Sequence, residues 1–226
     1  MVILWLGVLL NGCKESKVEK RLEEINAKLS QLESLLMPGM GKTQPQFGKE
    51  YKFKLDSAPV LGKKNARVKF VIWSDFQCPY CKKMGAMLED MVRLNPDKFA
   101  LYYKHRVVHP NAQLEHLSAL AAQEQGKFWE MHDLLFENQG MLVQLSRTEE
   151  TREQYKEKLI EFAQQLGLNL DKFQKDLEDP RFQSRLAEEM VEAEQASVYS
   201  TPTVFINGYF FGFQPEEIKN QAYKML

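Results

Sequence analysis

Two of the three cysteines in this chain, Cys78 and Cys81, stand two residues apart in the stretch DFQCPYCKKM. Thiols at this spacing can form a reversible disulfide, close a structural staple or supply half of a metal site. A zinc site needs four ligands, and the chain has no second cysteine pair. His105 and His109 lie four positions apart, but where a predicted strand runs into a loop. We therefore expect no metal centre.

Redox chemistry is the interpretation that the neighbouring residues favour. An apolar strand is predicted to end near Phe76 and a helix to begin at Pro79, which places Cys78 at the helix N-terminus. Unpaired backbone N–H groups and the helix dipole stabilise a thiolate there, below the free cysteine pKa of about 8.5. Pro79 suits the first helical turn because it needs no N–H partner. We predict that Cys78 attacks a substrate disulfide and that Cys81 resolves the mixed disulfide.

Two other interpretations of the pair stay open. A purely structural disulfide between Cys78 and Cys81 is possible, but so small a ring constrains little of the unfolded chain. Inert buried thiols are the other alternative, and they fit poorly at a predicted helix start, where a thiol is partly exposed and easily ionised.

A second motif, Thr201-Pro202, opens the stretch TPTVFING. Proline cannot sit inside a central strand, so it marks either a strand start or a cis turn. A cis Pro202 would leave the backbone of Thr201 free to pair with an extended substrate. We expect Pro79 and Tyr80, between the cysteines, to contribute to the same substrate-binding surface.

The remaining pattern alternates strands and helices around one long helical stretch. Residues 51–56, YKFKLD, alternate as an edge strand does, and residues 66–76 form an apolar run typical of a central strand. A helix is predicted over residues 78–94 and another strand over 98–108. Residues 112–197 are predicted to be helical in several pieces. The expected breaks are at Gly126, Gly140, Gly167 and Asp179-Pro180.

The C-terminal stretch predicts two short strands and a helix. TPTVFING and YFFG are joined by Asn207-Gly208, a typical hairpin turn, and a helix follows from Pro215. Segments far apart in sequence must therefore complete one sheet, with a helical block inserted between them.

Length and charge limit the function classes. The 226 residues suffice for one domain with an appended element, and the net charge of -1 arises from 30 basic and 31 acidic residues. This balance provides no field that would recruit nucleic acid, so we expect no nucleic-acid partner.

The N-terminus resembles an export signal. MVILWLGVLL is too short to cross a bilayer but matches the apolar region of a secretory signal. LNGC resembles the bacterial lipoprotein box, which implies that residues 1–12 are removed and that Cys13 carries lipid. Cys78 and Cys81 would then be the remaining pair in an oxidising compartment. An ordinary cleaved signal and a buried N-terminal strand are the alternatives.

A short heptad seam follows within residues 13–40. Its apolar residues are spaced four and three apart, at Val18, Leu22, Ile25, Leu29, Leu32 and Leu36. Leu at a positions with β-branched residues at two d positions favours a trimer or tetramer over a dimer. We expect a homo-oligomer, a trimer foremost, through residues 18–36. Packing on its own domain or against a membrane is the alternative. Residues 41–56 are expected to contain a linker and the edge strand.

The two motifs together resemble the thioredoxin superfamily. F-x-C-P-Y-C after an apolar strand, with S-T-P-T-V-F-I-N-G near the C-terminus, is similar to its DsbA-like family, which carries a helical insertion between these motifs. The resemblance covers residues 57–226, with the insertion at about 111–198. It implies an α/β thioredoxin fold with a large helical insertion, preceded here by the coiled-coil helix.

The resemblance also implies roles for individual residues. Cys78 matches the family's nucleophile and Cys81 its resolving cysteine. Pro202 matches the cis-proline beside the site, and Thr201 the position that tunes redox potential and substrate release. Asp75 lies near the pair; it could relay protons, but a solvated carboxylate at the strand end is the expectation.

An exported thiol–disulfide oxidoreductase is the function that follows. Within the superfamily, Thr201 before the proline and the Pro-Tyr dipeptide resemble the isomerase and reductase members, and the expected oligomer resembles the oligomeric isomerases. A disulfide-introducing oxidase is the alternative. A non-catalytic peptide-binding chaperone on the same scaffold is a third possibility. Expected partners are protein thiols and disulfides and a membrane redox protein that recycles the site. No cofactor beyond the Cys78–Cys81 disulfide is expected. The location would be the periplasmic side of a bacterial membrane, with the anchor at Cys13.

Overall fold

The computed structural model describes residues 44–226 together with Arg21, Ile25 and Lys28. These three residues are helical and exposed. The expected signal segment, the lipid site at Cys13 and the rest of the heptad seam lie outside the described residues. The chain divides into two units, Met1–Thr43 and Gln44–Leu226, and the second carries the fold below.

The described residues form one five-stranded mixed sheet in the order β1-β3-β2-β4-β5. Strand β2 is parallel to β3, and every other neighbouring pair is antiparallel. The strands are β1 Val60–Gly62, β2 Val68–Ser74, β3 Phe99–His105, β4 Thr203–Ile206 and β5 Tyr209–Phe210.

Most of the helices form a block inserted between β3 and β4. The α-helices are α1 Pro79–Leu94, α2 Gln113–Gln123, α3 Phe128–Glu137, α4 Gln139–Leu145, α5 Arg152–Gln165, α6 Leu170–Glu178, α7 Pro180–Gln195 and α8 Pro215–Lys224. Short 3-10 helices at Pro110–Ala112 and Glu149–Thr151 precede α2 and α5. The helical block therefore comprises α2 to α7. No helix among the described residues is long and apolar enough to cross a membrane.

Strand β2 is the middle strand, as its apolar run predicts. Its alternate residues Phe70 and Ile72 pack on one face of the sheet, in the cluster that includes α1 and the helical block. Val71 and Trp73 pack on the other face, against residues 51–58 and α7. Because both faces are covered, the strand is apolar at nearly every position.

Helix α1 packs its apolar stripe beneath the sheet. Met84, Leu88, Met91 and Val92 are all buried, and Met87 is partly buried. This is the spacing of one helix face, so the methionines form core rather than a ligand set. The buried stripe fixes the direction of α1, and with it the position of the cysteines at its first turn.

The predicted edge strand at residues 51–56 is wrong. This segment forms no strand. The residue before it, Glu50, makes an isolated antiparallel bridge with Tyr209. The alternation of the segment reflects burial instead, because Tyr51, Phe53 and Leu55 pack on the outer face of the sheet while the intervening residues are exposed. The first strand comes later, at β1, where Val60 pairs with Tyr102.

The helical block breaks at two of the three predicted glycines. Gly126 and Gly167 have φ of +73° and +69°, values that favour glycine after a helix. Gly140 instead lies inside α4, and the break falls at Asn138, whose Nδ2 donates to the Leu134 carbonyl at 2.8 Å. Asp179 begins α7 as predicted, since its Oδ1 accepts from the Arg181 N–H at 2.9 Å.

The hairpin between β4 and β5 turns at Asn207-Gly208, as predicted. Both residues have positive φ, +50° and +85°. A Cβ at Gly208 would lie 2.6 Å from the Tyr51 carbonyl oxygen, so glycine is also required for close approach. The Tyr51 N–H donates to the Gly208 carbonyl at 2.8 Å, which connects residues 51–58 to this hairpin.

Candidate active site

Cys78 caps the N-terminus of α1. Its backbone is extended, with φ −85° and ψ 117°, and Pro79 occupies the first helical position. The Cys78 N–H donates to the Asp75 carbonyl at 3.1 Å, and the Cys78 carbonyl accepts from the Cys81 N–H at 3.1 Å. The tight turn at the end of β2 therefore leads directly into the helix, with the Cys78 side chain at its open end.

The environment of the Cys78 thiol favours its ionised form. Hydrogen bonding from the Cys81 thiol lowers the pKa of Cys78 to about 6, with further contributions from the Thr201 side chain and the N–H groups of Cys81 and Tyr80, while burial opposes the shift. As a thiol, Cys78 donates through Sγ to the Thr201 carbonyl at 3.3 Å. A thiolate at this position is a ready nucleophile near neutral pH.

Cys81 lies one helical turn deeper and has the opposite character. Its side chain is fully buried, and its Sγ accepts from the Asp75 N–H at 3.4 Å. Burial, followed by the neighbouring Cys78, raises the pKa of Cys81. Both cysteines are free thiols. The pair therefore combines one sulfur that ionises easily with a second that holds its proton.

The Thr201–Pro202 peptide bond is cis and lies beside Cys78. Both residues are partly buried and immediately precede β4. Thr203 is in register with Trp73 of β2, so strand pairing brings the start of β4 to the end of β2 where the cysteines lie. The sheet thus unites two motifs that are far apart in sequence.

Pro79 and Tyr80 form the solvent side of the site. Both are exposed, and the Tyr80 side chain is 69% exposed, an unusual value for a large aromatic residue. Cys78 itself is only 4% exposed. The nucleophile is therefore nearly buried, next to an exposed aromatic side chain at the first turn of α1.

Asp75 is not the solvated strand-end carboxylate that the sequence led us to expect. It is fully buried. Its Oδ1 accepts from the Gln77 N–H at 2.8 Å and lies 3.1 Å from Nδ1 of His109. Its Oδ2 accepts from the Val108 and His109 N–H groups at 2.7 and 2.9 Å. Asp75 therefore joins the turn before Cys78 to the loop after β3.

Three buried polar residues at the site, Gln77, Glu115 and Gln139, were not predicted from the sequence. Gln139, at the start of α4, donates through Nε2 to the Phe76 and Cys78 carbonyls at 2.7 and 3.0 Å. Gln77 donates through Nε2 to Glu115 Oε1 at 3.1 Å. No local signal marks these residues, because each contact joins positions at least 38 apart.

His105 and His109, which lie four positions apart in the sequence, have different partners in the structure. His105 Nδ1 lies 2.8 Å from His116 Nδ1, whereas His109 pairs with Asp75. Among the described residues, a candidate metal-binding group is Glu89, His132 and Asp133, with ligand atoms within 4.8 Å of one another. Arg93 already pairs with both of these carboxylates, at 3.0 and 3.6 Å. This group includes neither cysteine.

Curated relatives match this chain over only part of their own length. The Na(+)/H(+) antiporter NhaA 3 of Salinispora tropica is 36% identical over 156 residues, which are 68% of this chain and 22% of that protein. NhaA of Herminiimonas arsenicoxydans is 28% identical over 149 residues, 66% of this chain and 22% of that protein. The chain thus spans about a fifth of the length of these relatives, and the antiporter activity in their names is not transferred to it.

Solved structures share the fold. BdbD from Bacillus subtilis has a TM-score of 0.64 at 20% identity, covering 81% of this chain and 98% of that one. A thioredoxin-like oxidoreductase from Silicibacter pomeroyi has 0.58 at 24%, covering 75% and 91%. The α-DsbA1 protein of Wolbachia pipientis has 0.64 at 14%, covering 76% and 92%. These likenesses confirm the expected α/β fold with a helical insertion.

A family model settles the classification. The model described as Thioredoxin matches residues 54–223, which include both cysteines and the Thr201–Pro202 peptide. This match covers most of the chain, and it agrees with the topology of the sheet around β2. The chain belongs to the thioredoxin family.

Proposed function

We propose that this chain is a thiol–disulfide oxidoreductase that exchanges disulfides in secreted proteins through Cys78 and Cys81. The observation that carries the proposal is the asymmetry of the pair: Cys78 has a lowered pKa at a helix N-terminus, and Cys81 is buried with a raised pKa. Similar structures include proteins named for thiol-disulfide exchange and as a protein-disulfide isomerase, which supports the proposal.

The reductive direction of this chemistry has two steps. The Cys78 thiolate attacks one sulfur of a substrate disulfide, the substrate S–S bond breaks, and the other substrate sulfur leaves as a thiolate. Cys81 then attacks Cys78 Sγ, releases the second substrate sulfur and gives up its proton to a departing thiolate. The substrate gains two electrons, and the pair ends as a disulfide. Oxidation of a substrate is the reverse sequence.

We further propose that substrate binds as an extended segment beside the cis peptide. Cys78 contacts the Thr201 carbonyl, so a segment that pairs with the Thr201 backbone would bring its sulfur next to Cys78. Pro79, Tyr80 and Pro202 would provide the apolar contacts of this surface. Backbone pairing is largely independent of sequence, which suits an enzyme that acts on many proteins.

An isomerase or reductase is the proposed direction, ahead of an oxidase. Isomerisation requires reduced Cys78 to attack incorrect disulfides, and a trimer formed through residues 18–36 would gather several such sites. The residue pair Thr201-Pro202 and the Pro-Tyr dipeptide support this choice by family resemblance. A membrane redox protein is the proposed partner that returns the pair to its working state.

We propose that the chain acts outside the cytoplasm as a lipoprotein anchored at Cys13. Labelling of expressing bacteria with a tagged palmitate tests this placement. The full-length protein should take up label and fractionate with membranes, whereas Cys13→Ala should do neither. Equal labelling of both proteins would refute the anchor without bearing on the cysteine chemistry.

The direction of electron flow is tested with scrambled and reduced ribonuclease. The full chain should reactivate scrambled ribonuclease faster than it oxidises the reduced form. A variant lacking residues 14–37 retains the compact unit Gln44–Leu226. It should keep disulfide reduction but lose isomerisation. Equal isomerisation by this variant would contradict the role of the oligomer, and faster oxidation than reactivation by the full chain would favour the oxidase.

A further inference from the structure

Gln139, a residue of the helical block, holds the turn that carries Cys78. This turn comprises residues 75–78. Gln139 is buried at the start of α4 and donates both of its amide protons to the turn. The acceptors are the Phe76 carbonyl at 2.7 Å and the Cys78 carbonyl at 3.0 Å. One side of the turn is therefore fixed by a residue from the insertion.

Gln77 belongs to the turn itself and connects it to the helical block through its own side chain. Its backbone N–H donates to Asp75, while its side chain leaves the turn and enters the helical block. There Nε2 donates to Glu115 Oε1 at 3.1 Å and to Ser146 Oγ at 2.9 Å. Because both amide protons are used, the residue before the nucleophile has one defined orientation.

Glu115 is the terminus of this network and is almost wholly buried, at 1% exposed. Its Oε1 also accepts from the Tyr155 hydroxyl at 3.0 Å. Burial raises the pKa of Glu115 to about 7, the bonds from Gln77 and Tyr155 oppose the rise, and the charge of Asp75 adds to it. A buried carboxyl is costly unless its hydrogen bonds are made. The bonds from Gln77 and Tyr155 therefore offset part of the cost of burying Glu115.

The direction of the turn matters for the nucleophile. The N–H groups of Tyr80 and Cys81 contribute to the ionisation of Cys78, and both residues follow directly after the turn that Gln77 connects to the helical block. Donors that stabilise charge act well only when they are held in place beforehand. We propose that Glu115 is a positioning residue for disulfide exchange, which holds Gln77 and thereby the turn from which Cys78 attacks. The inference rests on the proposed function.

Two substitutions of Glu115 separate positioning from bulk stability. Glu115→Leu removes the acceptor for Gln77 and Tyr155, whereas Glu115→Gln keeps a carbonyl oxygen in its place. Asp176→Leu is the matched control, because Asp176 is another buried carboxylate of the helical block, paired with Lys172 on its own helix. The readouts are the ionisation midpoint of Cys78 and the rate constant with glutathione disulfide. The midpoint is measured from the difference in ultraviolet absorbance between reduced and oxidised protein. Any absorbance of Cys13 is common to both forms and is removed by the subtraction.

Glu115→Leu should raise the Cys78 midpoint by roughly one pH unit and slow the reaction with glutathione disulfide about tenfold. Glu115→Gln should keep the midpoint within about 0.3 pH unit, and the rate constant within about twofold, of the unsubstituted chain. Asp176→Leu should lower the melting temperature and leave the midpoint unchanged. A midpoint in Glu115→Leu equal to that of the unsubstituted chain, or a shift no larger than in Asp176→Leu, would overturn the inference.

Gln77→Met carries the test if Glu115→Leu fails to fold. Methionine keeps the length of the side chain at the edge of the block but donates to neither Glu115 nor Ser146. The same upward shift is expected, and an unchanged midpoint overturns the inference. A midpoint near 9.0 in the unsubstituted chain, rather than about 6, would instead defeat the proposed function itself.

Discussion

The Sγ atom of Cys78 lies 3.3 Å from the carbonyl oxygen of Thr201, although 123 positions separate the two residues. This contact joins the N-terminus of α1 to the start of β4. It brings the group proposed to attack a disulfide next to the backbone proposed to bind the substrate. The proposed chemistry depends on this junction, and substitutions around it can test that dependence.

Replacement of Cys81 by Ser should trap the first intermediate. Cys78 can still attack a substrate disulfide, but no second sulfur is present to resolve the product. Incubation with scrambled ribonuclease should therefore give a covalent adduct that is visible by mass spectrometry and lost with dithiothreitol. Cys78→Ser is the matched control and should give no adduct at the active site. An adduct through Cys81 in that control would reverse the assigned roles.

The reactivity of Cys78 should follow a low-pH titration. Its pKa in the folded protein is lowered from 9.0 to about 6, so the thiolate predominates above pH 6 and is lost as pH falls through that value. Alkylation by iodoacetamide should be nearly constant above the midpoint and fall roughly tenfold per pH unit well below it. Mass spectrometry of the alkylated peptide assigns the rate to Cys78. Alkylation that still rises steeply between neutral pH and 9.0 would refute the lowered pKa.

Thr201→Val should raise the ionisation midpoint of Cys78. The buried Thr201 hydroxyl has no hydrogen-bond partner among the described residues while Cys78 bonds the Thr201 carbonyl. The Thr201 side chain nevertheless lies close enough to lower this pKa, and valine removes the hydroxyl at nearly constant volume. We expect an upward shift of roughly half to one pH unit. Thr203→Val is the control, because the Thr203 hydroxyl donates to the Ser200 carbonyl at 2.8 Å instead. That control should lower stability without moving the midpoint, and equal shifts in both variants would contradict the assignment.

Asp75→Asn should destabilise the fold. The buried carboxylate accepts from three backbone N–H groups and pairs with His109, and an amide cannot accept at both positions. Hydrogen bonds to a buried charged group make the expected loss of unfolding free energy about 3 kcal/mol. Urea denaturation followed by circular dichroism measures it. Asp171→Asn, at an exposed carboxylate of α6, should change stability by less than about 0.5 kcal/mol. Similar losses in the two variants would show that the contacts of Asp75 contribute little.

Local patterns were sufficient wherever one element could be recognised by itself. The apolar run of β2, the helical stripe from Met84 to Val92 and the Asn207-Gly208 turn each have a short-range physical cause, and the structure agrees with them. The alternation at residues 51–56 shows the limit of such patterns. It correctly indicated which side chains are buried, but burial of alternate residues does not require a neighbouring strand.

Contacts between distant segments were beyond prediction from one sequence. The buried state of Asp75 depends on the loop after β3, which supplies the N–H groups of Val108 and His109. The bonds from Gln139 to the turn join residues 61 or more positions apart. Polar residues of this kind are usually exposed, so their roles emerge only when the fold shows what surrounds them.

The pairing of β2 with both β3 and β4 makes the two halves of the site come from separate parts of the chain. A chain that stops at the end of α7 contains Cys78 and Cys81 but neither Thr201 nor β4. The proposed nucleophile would then lack the backbone that is proposed to orient a substrate. We therefore expect disulfide exchange to require the segment after α7, even though both cysteines precede it.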